Sequence, residues 1–492
     1  MLHTTIEMLF AIIPYVSHKR LPDKIRISIN KDTPLTFFSL IDLINCGRAL
    51  AARQIPATKP IISIGLKFTA KNIQYLLIFL LYTNLLLISL KNDIIKWMKE
   101  KTMFESAKEV LKIFSDNGFE AYMVGGFVRD YLLRLPSHDI DITTNAMPEI
   151  VKGMFKDNYN LSNKFKTVTI RYNGYEFEVT TYRYDKSYAD HRHPKTVVAS
   201  KLSDDIKRRD FTINSLCMDK DENIIDLVDG KKDIELRVVR AVGDPNKRFN
   251  EDALRMMRAF RFAARLNFTI EDKTYKAIKL NSHLMSFLSK ERIRSELDGI
   301  LDAEYLKDLI IPMLKSHIFR LYKDVELAFK TLYENYKKLD TFRFIVLASM
   351  LKGSVTNEIL LSKKEIDGVK KTIKFAELIK TRQLSPVAIF EENPKYVYDA
   401  YDVLEVLDIT PYKRSDIDEI VNSLKYKTRK EIDIDGNDIM ALIPKSPKDI
   451  GKYLDCAYTE VIMERIPNKK EVIMEYVKEL YKTNLENDKK DE

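Results

Sequence analysis

YMVGGFVRDYLLRLPSHDIDITTNA, residues Tyr122 to Ala146, is the stretch on which the fold depends. An apolar run ends in Gly125-Gly126, an Arg-Asp pair follows, and Asp139 and Asp141 then flank Ile140. The run EAYMVGG predicts a short buried strand entering a turn, with a short helix after Asp130. HDIDITTNA predicts a second strand. Residues i and i+2 of a strand face one side, so Asp139 and Asp141 can converge on one site. Paired hard oxygen ligands suit Mg²⁺, which keeps waters and bridges substrate phosphates. Glycine lets backbone amides approach phosphate oxygens closely, and Arg129 can add a bidentate charge. A lone D-x-D is most often a solvated turn, and a lone Gly-Gly only a bend. Strand, G-G-x-V-R-D, helix and D-x-D in this order is a much rarer combination.

Upstream, ESAKEVLKIFSDNG places Ala107, Val110, Leu111 and Phe114 on one helical stripe that ends at Gly118. Downstream, TVTIRYNGYEFEVTTYR predicts a hairpin turning at Asn173-Gly174. A charged loop, YDKSYADHRHPK, separates it from DDIKRRDFTINSL, which has a helical look. Residues 104–240 are therefore expected to be mixed α/β with a small, largely antiparallel sheet. Beyond Asn250 strand signals fade. EDALRMMRAFRFAARL sets Ala253, Met256, Phe260, Ala263 and Ala264 on one helix face, and helix follows helix to about Leu480. The fold class is α+β, an α/β head followed by a long helical body.

At 492 residues the chain can hold a few packed units with a large core. Its formal net charge of +9 suits a polyanionic partner but argues only non-specific attraction. Cys46, Cys217 and Cys456 lie far apart with no pair-like spacing, which argues against a disulfide framework or a Cys-type zinc site and makes a reducing cytoplasm the default. Residues 72–90 are uncharged and largely apolar, long enough for a membrane span, but Gln74, Thr83, Asn84 and Ser89 dilute them. Residues 1–97 are read as a poorly ordered or non-native extension, and a membrane anchor is the minority reading.

YMVGGFVRD, HDIDITTNA, EVTTYR, KRRDFTINSL, VGDPNKRFNEDALRMMRAFRFAARLNF and SKERIRSEL occur in the order seen in class II tRNA nucleotidyltransferases. The chain thus resembles the CCA-adding enzymes and their relatives, the bacterial poly(A) polymerases, whose head is similar to DNA polymerase β. The resemblance is dense over about residues 104 to 300 and weaker beyond. It implies a nucleotidyltransferase head over 98–240, neck helices over 241–310, a helical body over 311–425 and an RNA-binding helical tail over 426–492.

The same resemblance implies two Mg²⁺ ions held by Asp139 and Asp141, the catalytic pair, with Glu178 a further metal-site carboxylate unless the pleat turns it away. Gly125, Gly126 and Arg129 would hold the triphosphate. Arg129-Asp130 has an alternative as a buried structural pair. Arg209, Asp210 and Asn214 of KRRDFTIN would recognise the ribose. Asp252 and Arg255, three apart and so expected on one helical face, would read the base. An acceptor beside a donor complements the Watson–Crick edges of both cytosine and adenine, while uracil and guanine set a carbonyl against the Asp. Asp190 and Arg192 would belong to a flexible loop that switches the pocket from C to A. His283 and His317 are the only histidines after residue 250 and make no His-Asp pair, so no phosphohydrolase metal site is expected.

The expected activity is addition of CCA to tRNA 3′ ends from CTP and ATP in the cytoplasm, with no obligate protein partner and no membrane contact. A poly(A) polymerase, a partial CC- or A-adding enzyme, and a catalytically silent RNA-binding protein are the alternatives.

Overall fold

The computed structural model describes residues 102–137, 139–156, 159–161, 167–185, 197–443 and 447–488, all within one compact unit that spans Ser89–Glu492. The expectations for residues 1–97 and for the loop carrying Asp190 and Arg192 lie outside these residues. Among the described residues no helix is long and apolar enough to cross a membrane.

The head opens with helix α1, residues 102–116, which buries Ala107, Val110, Leu111 and Phe114 and stops at Gly118 (φ 78°). A seven-stranded sheet follows. Its strands are β1 (Ala121–Val124), β2 (Asp141–Thr144), β3 (Tyr159–Leu161), β4 (Thr167–Tyr172), β5 (Tyr175–Thr181), β8 (Cys217–Met218) and β9 (Ile224–Ile225). The order is β3-β4-β5-β2-β1-β8-β9, antiparallel throughout except for the parallel pair β2–β5. The β4–β5 hairpin turns at Asn173-Gly174, both with positive φ (50° and 82°), the geometry that keeps a two-residue turn in step with strand twist. A separate ribbon of β6 (Arg183–Asp185) and β7 (Val197–Ala199) leaves the sheet after β5.

Two expectations about local structure need correcting. The helix expected after Asp130 begins earlier: α2 is Gly126–Leu132, so Arg129 and Asp130 are inside it. DDIKRRDFTINSL is not one helix. Helix α4 (Leu202–Lys207), which follows α3 (Pro148–Met154), ends at the first residue of KRRDFTIN, because Phe211 bridges to Ala241 and the Thr212 amide donates to the Arg240 carbonyl. A 3₁₀ turn, Thr212–Asn214, then carries the chain into β8.

Beyond the sheet, α5 (Gly230–Glu235), α6 (Pro245–Glu251), α7 (Leu254–Leu266), α8 (Asp272–Asn281) and α9 (Lys290–Asp302) are stitched to the head by the parallel pair β10 (Val238–Val239) and β11 (Thr269–Ile270). The expected 240/241 boundary is therefore crossed by hydrogen bonds. Helix α9 comes close to α7 because residue 299 is glycine: a Cβ there would lie 2.5 Å from Arg261 Cδ. One apolar cluster runs from Met103 to Val406, and a second joins Phe375 to Val477. The expected 425/426 boundary falls within the second cluster, which Ile417 and Leu424 share with Ile439 and Ile473.

Candidate active site

The cleft of the head is lined by α2, the loop before β2, the residues after α4, and the inner face of α7, and encloses about 410 Å³. Gly125 is its pivot. At φ 83° and ψ −134° it takes a backbone conformation that side chains oppose, and a Cβ on it would stand 3.6 Å from Arg209 NH1 and 3.9 Å from Asp141 Oδ2. The turn sends the chain from β1 into α2, whose first amides have no side-chain cap and open on the cleft. Unpaired amides at a helix N-terminus favour phosphate oxygens.

Asp139 and Asp141 both line the cleft. Ile140 and Ile142 are buried while the two aspartates are exposed, so the expected alternation holds, although regular strand pairing starts only at Asp141. Parallel register sets Glu178 directly opposite Asp141, on the exposed side of β5. The pleat therefore turns Glu178 toward the aspartate. The Asp141 carboxyl keeps a tip open to solvent, but the protein crowded around it pushes its pKa up to about 6; Glu178 and then Asp139 add to the rise, and Arg209 opposes it. Three oxygen-bearing carboxylates whose negative charge Arg209 only partly offsets suit a hard divalent ion such as Mg²⁺ better than a nitrogen- or sulfur-seeking one. Among the described residues no cluster of three or more His, Cys, Asp or Glu is close enough to enclose a metal alone, so substrate oxygens and water must complete the coordination.

Arg129 forms the buried pair with Asp130 that was the alternative to a phosphate ligand. It is only 2% exposed and its pKa is lowered by burial. Nε donates to Asp130 Oδ1 (2.8 Å) and NH1 to Asn214 Oδ1 (2.6 Å), while the guanidinium stacks 5.2 Å from the Phe262 ring. Its hydrogen bonds are spent inside the wall, so it orients Asn214. The Asn214 amide donates to Asp210 Oδ1 (3.3 Å), and Arg258 Nε donates to Asp210 Oδ2 (2.8 Å). Burial works to raise the Asp210 pKa, but Arg258 and Arg255 outweigh it and hold the group ionised. The chain Arg129–Asn214–Asp210–Arg258 thus fixes the ribose-type motif against α7. Phe262 lies at its centre, with the Arg258 and Arg261 guanidiniums at 5.1 and 5.0 Å from the ring.

Asp252 and Arg255 do not share a helical face. Asp252 is extended (φ −148°, ψ 105°) at the break between α6 and α7, because its Oδ1 accepts the Leu254 amide and starts the second helix. Its Oδ2 accepts from Arg292 NH2 (2.8 Å). Arg255 donates to Glu251 Oε2 (2.9 Å) and to the Arg208 carbonyl (2.8 Å). Neither lines the cleft, although Arg255 abuts the motif that does.

Sequence reading missed Asp205, Arg258, Phe262 and Arg265. Asp205 is fully buried and accepts from Arg208 Nε (3.0 Å), Arg209 NH2 (3.1 Å), Thr143 Oγ1 (3.4 Å) and the Arg183 amide (3.4 Å). It steers Arg209 toward Gly125. The signal for the other three was the Arg spacing along RMMRAFRFAAR, which puts Arg258, Phe262 and Arg265 on one side of α7.

Residues 121–240 match the model of the poly A polymerase head domain, 267–323 that of a probable RNA and SrmB-binding site of polymerase A, and 346–477 that of a putative tRNA nucleotidyltransferase domain 2. The chain is 34% identical over 406 residues to the CCA-adding enzyme of Lactobacillus helveticus, which covers 78% of this chain and 100% of that protein. It is 32% identical over 391 residues to the CCA-adding enzyme of Bacillus cytotoxicus, covering 76% and 98%. The crystal structure of the Bacillus stearothermophilus CCA-adding enzyme in complex with CTP is similar at a TM-score of 0.69 and 28% identity, over 78% of this chain and 99% of that one.

Proposed function

The chain belongs to the CCA-adding enzymes, tRNA nucleotidyltransferases that use CTP and ATP, and from that premise we propose how its own residues perform the addition. The observation that carries the reading is the meeting of Asp139 and Asp141 with the Gly125 turn and the open amides of α2 in one cleft.

The triphosphate lies across the N-terminus of α2, its charge met by amides that need no reorganisation. Asp139, Asp141 and Glu178 would hold two Mg²⁺ ions, which would supply a lowered pKa at the attacking hydroxyl and support for the leaving pyrophosphate. The RNA 3′-oxygen bonds to the α-phosphorus, the α–β bridging P–O bond breaks, and pyrophosphate leaves with the bonding pair. The hydroxyl proton passes to solvent water at the cleft mouth. Arg209 is held near the phosphates by Asp205, and Asp210 and Asn214, locked by Arg258 and Arg129, face the ribose.

Base choice falls to Asp252 and Arg255. Both are satisfied internally by Arg292, Glu251 and the Arg208 carbonyl, so reading a base requires exchanging those partners. A mismatched base would leave desolvated groups unpaired, a cost of about 1–3 kcal/mol per group. Lys and Arg of the helical body position the RNA through its phosphates, and we place the activity in the cytoplasm, where a reducing environment suits the separated cysteines.

The test is incubation of tRNA lacking its CCA end with Mg²⁺ and each labelled nucleotide, singly and together. CCA formed from CTP plus ATP is expected. Long A tails would transfer the reading to a poly(A) polymerase, and a stop after CC to a partial enzyme.

A further inference from the structure

Four arginines line the cleft: Arg129, Arg209, Arg258 and Arg265. Three are committed to buried carboxylates. Arg129 is bonded to Asp130 and Asn214, Arg209 to Asp205, and Arg258 to Asp210, and their side chains are 2%, 19% and 31% exposed. Arg265 is 53% exposed and makes a long ion pair, with NH2 3.6 Å from Asp130 Oδ2. That exceeds hydrogen-bond distance. Asp130 is shared between two arginines, since Arg129 takes its other oxygen, Oδ1, through both Nε (2.8 Å) and NH2 (2.7 Å).

A cation in the last turn of a helix gains from the dipole there, which is enough to explain an arginine at the end of α7. It does not by itself explain why the half-exposed side chain lines the cleft together with Pro136, Ser137 and Asp130. Asp130 lies one helical turn beyond Gly126. The carboxylate that Arg265 pairs with thus belongs to a residue about 5 Å along α2 from the amides that open on the cleft. A triphosphate whose α-phosphorus sits at Asp139 and Asp141 and whose chain crosses those amides brings its outer phosphates toward this guanidinium.

We propose that Arg265 binds the outer phosphates of CTP and ATP and the pyrophosphate they leave, an assignment that rests on reading the cleft as the nucleotide site. As the α–β bridging bond breaks, the bonding pair moves to pyrophosphate and negative charge grows on it. A planar, half-exposed guanidinium held by a single long ion pair to Asp130 meets that charge with two parallel N–H donors. The contact involves neither base nor ribose, so it serves both nucleotides equally.

The experiment compares wild type, Arg265→Gln and Arg265→Lys on tRNA lacking CCA, with KM measured separately for CTP, ATP and tRNA. Binding of inorganic pyrophosphate with Mg²⁺ is measured by calorimetry on the same proteins. Arg265→Gln should raise KM for both nucleotides about tenfold and weaken pyrophosphate to a similar degree, with KM for tRNA and the C-to-A choice unchanged. Arg265→Lys should recover part of both. A rise in KM for tRNA alone would show an RNA phosphate contact and overturn the assignment. Unchanged constants, or a fall in kcat accompanied by lost thermal stability, would overturn it as well. Should wild type itself fail to build CCA, the reading of the site fails first. A fully active wild type with an unaltered glutamine variant removes only the assignment of Arg265.

Discussion

Asp141 shows what a site of this kind costs the fold. Its carboxyl is pushed up to about 6 by burial and by Glu178 and Asp139, above its value in the unfolded chain. The folded state thus binds a proton there more tightly than the unfolded state, and stability falls as pH rises from the unfolded value through about 6. Asp141→Asn should abolish transfer while raising the urea midpoint of the metal-free protein at neutral pH. Solvent at the open tip screens the effect, so the gain is about 1 kcal/mol. The gain should vanish below pH 4, and an equal midpoint at pH 7.5 would refute the argument. The pair Asp139-Asp141 was legible because the pleat dictates alternation. Glu178 was not, since only the register of the parallel pair β2–β5 decides which way it faces. Arg129 could be read as a phosphate ligand or as the buried partner of Asp130, because no local pattern reveals that Phe262, far along the chain, lies against it.

At the level of elements, the sequence disclosed which segments are helical better than where helices stop. KRRD leaves the helical path through the non-local bridge Phe211–Ala241, and the α6–α7 break is set by Asp252 capping Leu254, a role concealed by an unbroken helical pattern. Asp205 is where these elements meet, joining β2 through Thr143, the root of β6 through Arg183, and the ribose-type motif through Arg208 and Arg209. Burial works to raise its pKa, but the two arginines outweigh it and hold it below the usual carboxylate value. That stability is present above the unfolded pKa and is lost as pH falls through the folded one. Asp205→Asn keeps the shape and removes the charge, leaving two partly buried guanidiniums without a counter-ion. A loss of about 3 kcal/mol in urea unfolding is expected, together with a raised nucleotide KM as Arg209 is released from beside Gly125. Wild-type stability in this variant would show that the arginines find other partners.

Across the whole molecule, the division into α/β head and helical body was open to reading because hydrophobic periodicity changes near Asn250. The way the two halves are fastened was not, since it depends on pairings between distant helices. Residues Lys395–Val406 form a helix shared by both apolar clusters: Val403 and Val406 belong to the first, and Val397, Ala400, Tyr401 and Leu404 to the second. On the same helix Asp399 and Asp402 are buried. Arg343, from the helix Thr341–Lys352, reaches both, with Nε 2.8 Å from Asp399 Oδ1 and 3.2 Å from Asp402 Oδ2. Lys395 also bonds Asp399, and Lys337 and Arg414 also bond Asp402. Removing one partner of a buried pair costs more than replacing the pair, because the remaining charge stays desolvated. Arg343→Met should therefore destabilise by about 3 kcal/mol, and adding Asp399→Leu should restore most of it. Because this helix couples the clusters, unfolding of the single variant should separate into two transitions, the Phe375–Val477 cluster melting first. Lys395, half exposed, can return to water in the double variant, which makes the rescue possible. A single transition in Arg343→Met, at the wild-type midpoint, would mean that the apolar faces of the shared helix bind the two cores without help from the ions.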